Sequence, residues 1–253
     1  MSKIVKGGQN TYGEIIGIIT NNKLKARIPG DIGNANTFNF PVRYKVVREA
    51  CTLSYLKGDP ELLNPFIKAA QELEKNGAKA ITSSCGFLIL YQKAIANAVN
   101  IPVFTSSLLI LPLLTEMINE KYKIGIITAH SILLDKRCFE AIGIKSTNRL
   151  VIKGMEEKAE FKRVILDDDL FLNVEKLCNE VLEVATNMIL ENPEIKVVLL
   201  ECTNLVPFSK AIQQAINLPV FDIVTLTNLI YSAFVKKEFN LLGFNSPQLC
   251  CGQ

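Results

Sequence analysis

Apolar residues along this chain fall into short β-branched runs separated by longer stretches with helical spacing. Ile15 to Thr20 and Ile124 to Thr128 are two such runs. They have the pattern of strands buried on both faces of a parallel sheet. From Pro60 to Asn76 the apolar positions are Leu62, Leu63, Phe66, Ala69, Ala70 and Leu73. That spacing predicts an amphipathic helix, and Gly77 supplies its stop. Leu170 to Leu190 repeats the spacing, and Asp167, Asp168 and Asp169 ahead of it read as its N-terminal cap and dipole partners. Strands are predicted next at Ala80 to Ser84 and Val197 to Glu201, each running into a cysteine. After each cysteine come a helix, a short strand ending Pro-Val-Phe and another helix, the last from Ile223 to Phe239. Alternation of this kind specifies parallel sheets with right-handed crossovers.

The two halves also repeat one another. Residues 85–104 (CGFLILYQKAIANAVNIPVF) align without gaps to residues 202–221 (CTNLVPFSKAIQQAINLPVF), an offset of 117, and ten of the twenty positions are identical. Ile16-Gly17-Ile18-Ile19-Thr20 recurs upstream as Ile124-Gly125-Ile126-Ile127-Thr128. The expected fold is α/β: two pseudo-symmetric Rossmann-like lobes with parallel sheets and a site in the cleft between them. The expected first lobe is residues 1–108 plus 223–253, with the last helix packing back on it, and the second is residues 109–222.

Composition narrows the chemistry. The chain has 253 residues and a net charge of +3 (28 basic minus 25 acidic), too small a surplus to point to nucleic acid or an anionic membrane. Seven cysteines accompany one histidine, His130, and no CxxC pair occurs. Multi-histidine metal sites are excluded and the cysteine spacing argues against a zinc ribbon, so no metal is expected. His130 itself is expected to cap a helix. An odd cysteine count is no disulfide framework, the N-terminus lacks the apolar stretch of a secretory signal, and no run reaches the length of a membrane span. A cytoplasmic protein with free thiols is expected.

Two of the seven cysteines stand out. Cys85 and Cys202 occupy equivalent strand ends, each on the turn into a helix. Ligands of open α/β sheets sit beyond such ends, and a helix N-terminus lowers a thiol pKa and cradles a carboxylate. Cys51, Cys138 and Cys178 read as packing residues, and Cys250 and Cys251 as part of a polar tail. Lys93 and Lys210 repeat but are expected to be solvated. Ser84, Gly86, Phe87, Thr203 and Asn204 flank the two cysteines, and Thr20, Asn21 and Thr128 end the matching first strands, so all eight are candidate substrate contacts. Lys23 to Tyr44 reads as a long loop without a counterpart in the second half, in which Arg27 is a candidate carboxylate clamp.

Thiols on opposite sides of a ligand suit racemisation beside a carboxylate, one removing a proton and the other returning one to the opposite face. At this point the chain resembles the aspartate/glutamate racemase superfamily. The resemblance rests on a strand ending in cysteine in each half and on Cys202-Thr203 in the second. It covers both lobes. Gly86 and Phe87 stand where amino-acid racemases of the family carry Asn-Thr, and Asn204 replaces the usual Glu or His. The resemblance implies a small carboxylate substrate, no cofactor, a homodimer, and an isomerase inverting an aspartate- or glutamate-like amino acid through Cys85 and Cys202. Hydantoin racemases and maleate isomerases of the same superfamily, or a two-lobed carboxylate-binding protein without turnover, are the alternatives.

Overall fold

The computed structural model describes residues 4–50 and 53–238. Strands β1 (Ile16–Asn21), β2 (Val42–Val47), β3 (Ala80–Ser83) and β4 (Val103–Phe104) form one sheet in the order β2-β1-β3-β4. Strands β5 (Lys123–Thr128), β6 (Leu150–Gly154), β7 (Ile195–Leu200) and β8 (Val220–Phe221) form a second in the order β6-β5-β7-β8. Every pairing is parallel. The fold is two four-stranded α/β lobes of equivalent topology, as the repeat predicts.

Burial explains the repeated strand. Ile16, Ile18 and Ile19 of β1 and Ile124, Ile126 and Ile127 of β5 are all buried. In each, the glycine is where a helix crosses closely. A Cβ on Gly17 would lie 3.1 Å from Leu73 Cδ1, and one on Gly125 2.6 Å from Met188 Cε. Helix Leu63–Lys75 buries Phe66, Ala69, Ala70 and Leu73, the stripe read from the sequence, and Gly77 follows at φ 99°.

Several boundaries differ from expectation. The Lys23–Tyr44 segment is not loop throughout: Val42 opens β2, an edge strand whose counterpart is β6. Its side chains are mostly half-buried and carry Arg43 and Lys45, so the apolar signature of a central strand is absent. The second long helix begins at Val174. Asn173 caps it, accepting from the Lys176 N–H, and the Asp167–Asp169 run does not. Asp169 is spent on the Phe171 N–H and Arg163, and Asp168 reaches the other lobe. The last helix runs Ile223–Phe234, and its Tyr231 ring stacks on Phe40 of the first lobe at 3.6 Å. Cys51, Phe239, Cys250 and Cys251 lie outside the described residues. Among the described residues no helix is long and apolar enough to cross a membrane.

The lobes meet where their strands end. Thr203 Oγ1 donates to the Ser84 carbonyl at 2.7 Å, and Ser107 Oγ donates to the Leu200 carbonyl at 2.8 Å. Both bonds are buried, so each fixes one sheet end against the other.

Candidate active site

A small cleft opens between the two sheet ends, lined by residues of both lobes. Cys85 enters it from the first lobe and Cys202 from the second. Each is the residue before a helical turn, with extended backbone. The Phe87 and Leu88 N–H groups reach the Cys85 thiol, and the Asn204 N–H reaches that of Cys202. Strand end and helix start thus place both thiols, as the repeat predicts.

Their acidity runs against expectation. Burial pushes the Cys202 thiol up to about 12, against the pull of Asn204 and Lys25. Burial raises Cys85 well above the usual thiol range too, and the charge of Glu201 opposes ionisation of both. Desolvation outweighs the helix N-termini here. The thiols are not equivalent, however. Cys202 Sγ accepts the Asn204 side-chain N–H at 3.3 Å, and Asn204 Oδ1 in turn accepts from Lys25 Nζ. Among the described residues no side-chain donor of this kind reaches Cys85. A negative charge between the two thiols is therefore held better on Cys202.

The cations come from the Lys23 loop. Lys23, Lys25 and Arg27 all line the cleft. Lys25 is 6% exposed and Asp31 is 3% exposed, with 3.4 Å between Nζ and Oδ2. Arg27 Nη1 lies 3.0 Å from the same carboxylate, and Arg27 Nη2 donates to Asn21 Oδ1. Two cations share one anion on this wall of the cleft. Burial is the main force on Lys25 and lowers its pKa, with Asp31 opposing.

This loop is tied to the opposite lobe by Asp168. Its carboxylate accepts the backbone N–H groups of Leu24 and Lys25 at 3.4 and 3.3 Å and sits 3.9 Å from Lys23 Nζ. Asp168 holds a left-handed φ of 64° to do so. Asp168→Ala is expected to cost about 1–2 kcal/mol, read as a melting temperature lower by roughly 3–6 °C. The Lys23–Arg27 backbone should then become cleavable by added protease.

Most of the residues flagged from sequence meet in the cleft: Asn21, Arg27, Ser84, Gly86, Phe87, Thr203 and Asn204 line it with the two cysteines. Thr20 does not line it; its hydroxyl turns to the Lys45 carbonyl on the β2 side. Thr128 is buried behind the cleft and donates to Glu201 Oε2 at 2.7 Å. His130 caps nothing through its ring: Nδ1 is buried without a hydrogen bond, 4.0 Å from Glu156 Oε1. Lys93 and Lys210 are exposed. Cys138 is buried and Cys178 half-buried. Among the described residues no group of three His, Cys, Asp or Glu side chains could hold a metal ion.

Sequence reasoning missed Lys25, Tyr55 and Glu201. Tyr55 Oη accepts the Asn21 amide at 2.8 Å, and burial raises its pKa. Glu201 is 0% exposed, and its Oε1 has no partner. It also explains Gly86. A Cβ there would lie 2.1 Å from Glu201 Oε1 and 2.5 Å from the Glu201 carbonyl oxygen, so only glycine admits the other lobe this close. One signal was present: in the repeat, Glu201 aligns with Ser84, a charged residue at the end of a buried strand.

No family model matches the chain. Among curated proteins it is 31% identical over 241 residues to a dimethylsulfoniopropionate lyase of Durusdinium sp. clade D, covering 87% of this chain and 75% of that protein. It is 29% identical over 220 residues to dimethylsulfoniopropionate lyase 7 of Emiliania huxleyi, covering 81% of this chain but only 63% of that protein. Among solved structures, a glutamate racemase from Bacillus anthracis superposes with a TM-score of 0.57 at 16% identity, covering 87% of this chain and 81% of that one. Arylmalonate decarboxylase does so with a TM-score of 0.54 at 14% identity, covering 90% and 96%. The two-lobed fold is that of the aspartate/glutamate racemase superfamily, as the paired cysteines imply. The reaction is not the one expected from them. The curated relatives are named as lyases, which overturns both the assignment to the isomerases and inversion of an amino acid.

Proposed function

Since the chain belongs to the dimethylsulfoniopropionate lyase family, we propose that it breaks the carbon–sulfur bond of a β-sulfonium carboxylate such as dimethylsulfoniopropionate by elimination. In that substrate a carboxylate sits on C2 and a dimethylsulfonium group on C3. The Cys202 thiolate removes a proton from C2. The C2–H electron pair becomes the C2=C3 π bond, and the C3–S pair leaves on sulfur. The products are dimethyl sulfide, acrylate and one proton.

The observation that carries this reading is the chain of contacts from Lys25 through Asn204 to Cys202 Sγ. Inversion needs two bases of comparable standing; elimination needs one. The contacts favour charge on Cys202, while Cys85 stays a thiol across the cleft. Lys25 and Arg27 supply the cations on the cleft wall that suit the carboxylate. Phe87, Leu56, Ile165 and Leu166 supply apolar surface for the methyl groups, and a water-poor site favours loss of the sulfonium charge as the sulfide leaves.

The test is headspace measurement of dimethyl sulfide after incubation with dimethylsulfoniopropionate. Release of the sulfide together with acrylate supports the reading, and no volatile sulfide overturns it. The carboxamide analogue, which lacks the anionic end, should show a kcat/KM lower by about 100-fold, the worth of roughly 3 kcal/mol of charge-assisted binding.

A further inference from the structure

Elimination differs from inversion in its proton balance. A racemase returns the proton it takes. An elimination starting from a sulfonium carboxylate sets one proton free per turnover, and the base that took it lies buried. The proton needs a way off the thiol before the next substrate arrives.

One group in the cleft has no role so far. Glu201 lines the cavity and is wholly buried, with Oε1 unpartnered. Oε2 accepts from Thr128 Oγ1 at 2.7 Å, and the Ala129 N–H also donates to the carboxyl. The titratable groups whose ionisation its charge opposes are three thiols: Cys85 on the first lobe, Cys138 on helix Lys136–Glu140, and the adjoining Cys202. Among the described residues no cation forms an ion pair with it. The close approach at Gly86 brings Oε1 across to the turn that carries Cys85. A carboxylate with one unpartnered oxygen and no cation is thus buried beside the turn that carries Cys85 and next in sequence to Cys202, in a place where a buried charge is costly.

Resting on the lyase reading, we propose that Glu201 holds the negative charge of the resting site and is the group through which the released proton leaves. Before reaction Glu201 is a carboxylate and Cys202 a thiol. As substrate fills the cleft, the Cys202 proton passes to Glu201. The thiolate then takes the C2 proton, the C2–H pair forms the double bond, and the C3–S pair leaves with sulfur. Cys202 is again a thiol and Glu201 a carboxylic acid. Glu201 gives its proton to water as the products depart, which restores the resting state and accounts for the one proton released. Glu201 acts through Cys202 and touches no substrate atom in this sequence.

Burial pushes the Glu201 carboxyl up to about 7, against the Thr128 and Ala129 hydrogen bonds. The resting carboxylate is therefore lost as pH falls through that value. Wild-type kcat for dimethyl sulfide release should drop below about pH 7, approaching tenfold per unit. The Glu201→Gln variant keeps the shape and cannot ionise. Cys202 must then lose its proton directly, so the acidic limb should move up by about one unit or more, with most of the rate recovered in alkaline buffer. At pH 7 that displacement reads as a loss of about tenfold or greater. Thr128→Val removes a donor to the ionised form, so the acidic limb should move upward. A Glu201→Gln profile parallel to wild type, lowered evenly or not at all, overturns the proposal and leaves the lyase reading standing. A wild-type protein that releases no dimethyl sulfide overturns both.

Discussion

Replacing Cys202 by serine is expected to lower dimethyl sulfide release by about 1,000-fold, within the range for losing a positioned general base. Serine keeps the shape and can accept the Asn204 amide that now reaches the sulfur at 3.3 Å. A hydroxyl, however, is far harder to ionise than a thiol, and the Lys25–Asn204 contacts cannot make up the difference. The melting temperature should stay within a degree or two of wild type, which separates loss of the base from loss of the fold. Cys85→Ser is the informative partner. In a two-base inversion both substitutions are equally damaging. Here only Cys202 is supported as a base, so Cys85→Ser should cost about tenfold and stay well above the Cys202 variant. Equal losses would mean that both thiols move protons.

The second large effect is expected at Gly86. Its α-carbon faces the opposite lobe, where a methyl group would come within 2.1 Å of Glu201 Oε1 and 2.5 Å of the Glu201 carbonyl oxygen. The carboxyl can swing away, but the carbonyl cannot, because it directly follows β7 and the Thr203–Ser84 and Ser107–Leu200 bonds hold the lobes together there. Gly86→Ala therefore forces the sheet ends apart. A cost of about 1–3 kcal/mol is typical of such overpacking, which lowers the melting temperature by roughly 3–10 °C in a chain of this size. The activity loss should be larger than the stability loss suggests, about 100-fold, because Cys85 and Glu201 move with the backbone that carries them. Thermal melting and steady-state kinetics on the same preparation check both parts. A variant with wild-type activity would mean that the junction is looser than the structure has it.

Particular elements show why parts of this account were legible in the sequence. A central parallel strand is buried on both faces, so β1 and β5 wrote themselves as Ile-Gly-Ile-Ile-Thr, down to the glycine over which a helix crosses. The cysteines were legible because a repeat marks equivalent strand ends. Edge strand β2 was not, since its half-buried side chains include Arg43 and Lys45 and give no apolar run. The start of helix Val174–Glu191 was misplaced because Asp168 and Asp169 resemble a cap locally and are used elsewhere, one of them on the far lobe. Lys25 and Glu201 are charged residues whose burial exists only once two lobes meet, and no window of sequence contains both sides of that contact. Thiol acidity was misjudged for the same reason: the helix N-terminus is local, the desolvation is not. The reaction itself was least legible. A thiol pair at the end of two sheets suits both inversion and elimination, and the proposed choice of elimination rests on the asymmetry that Asn204 and Lys25 create around Cys202.

Proton NMR of dimethylsulfoniopropionate incubated with wild-type protein and with the Cys202→Ser variant tests the central claim most directly. With wild type, the vinyl protons of acrylate and the methyl signal of dimethyl sulfide should grow together in one-to-one proportion as substrate disappears, while the variant leaves the substrate intact over the same interval. Unchanged substrate with wild-type protein, or acrylate formed by the variant at a comparable rate, would contradict the assignment of carbon–sulfur elimination to the Cys202 thiolate.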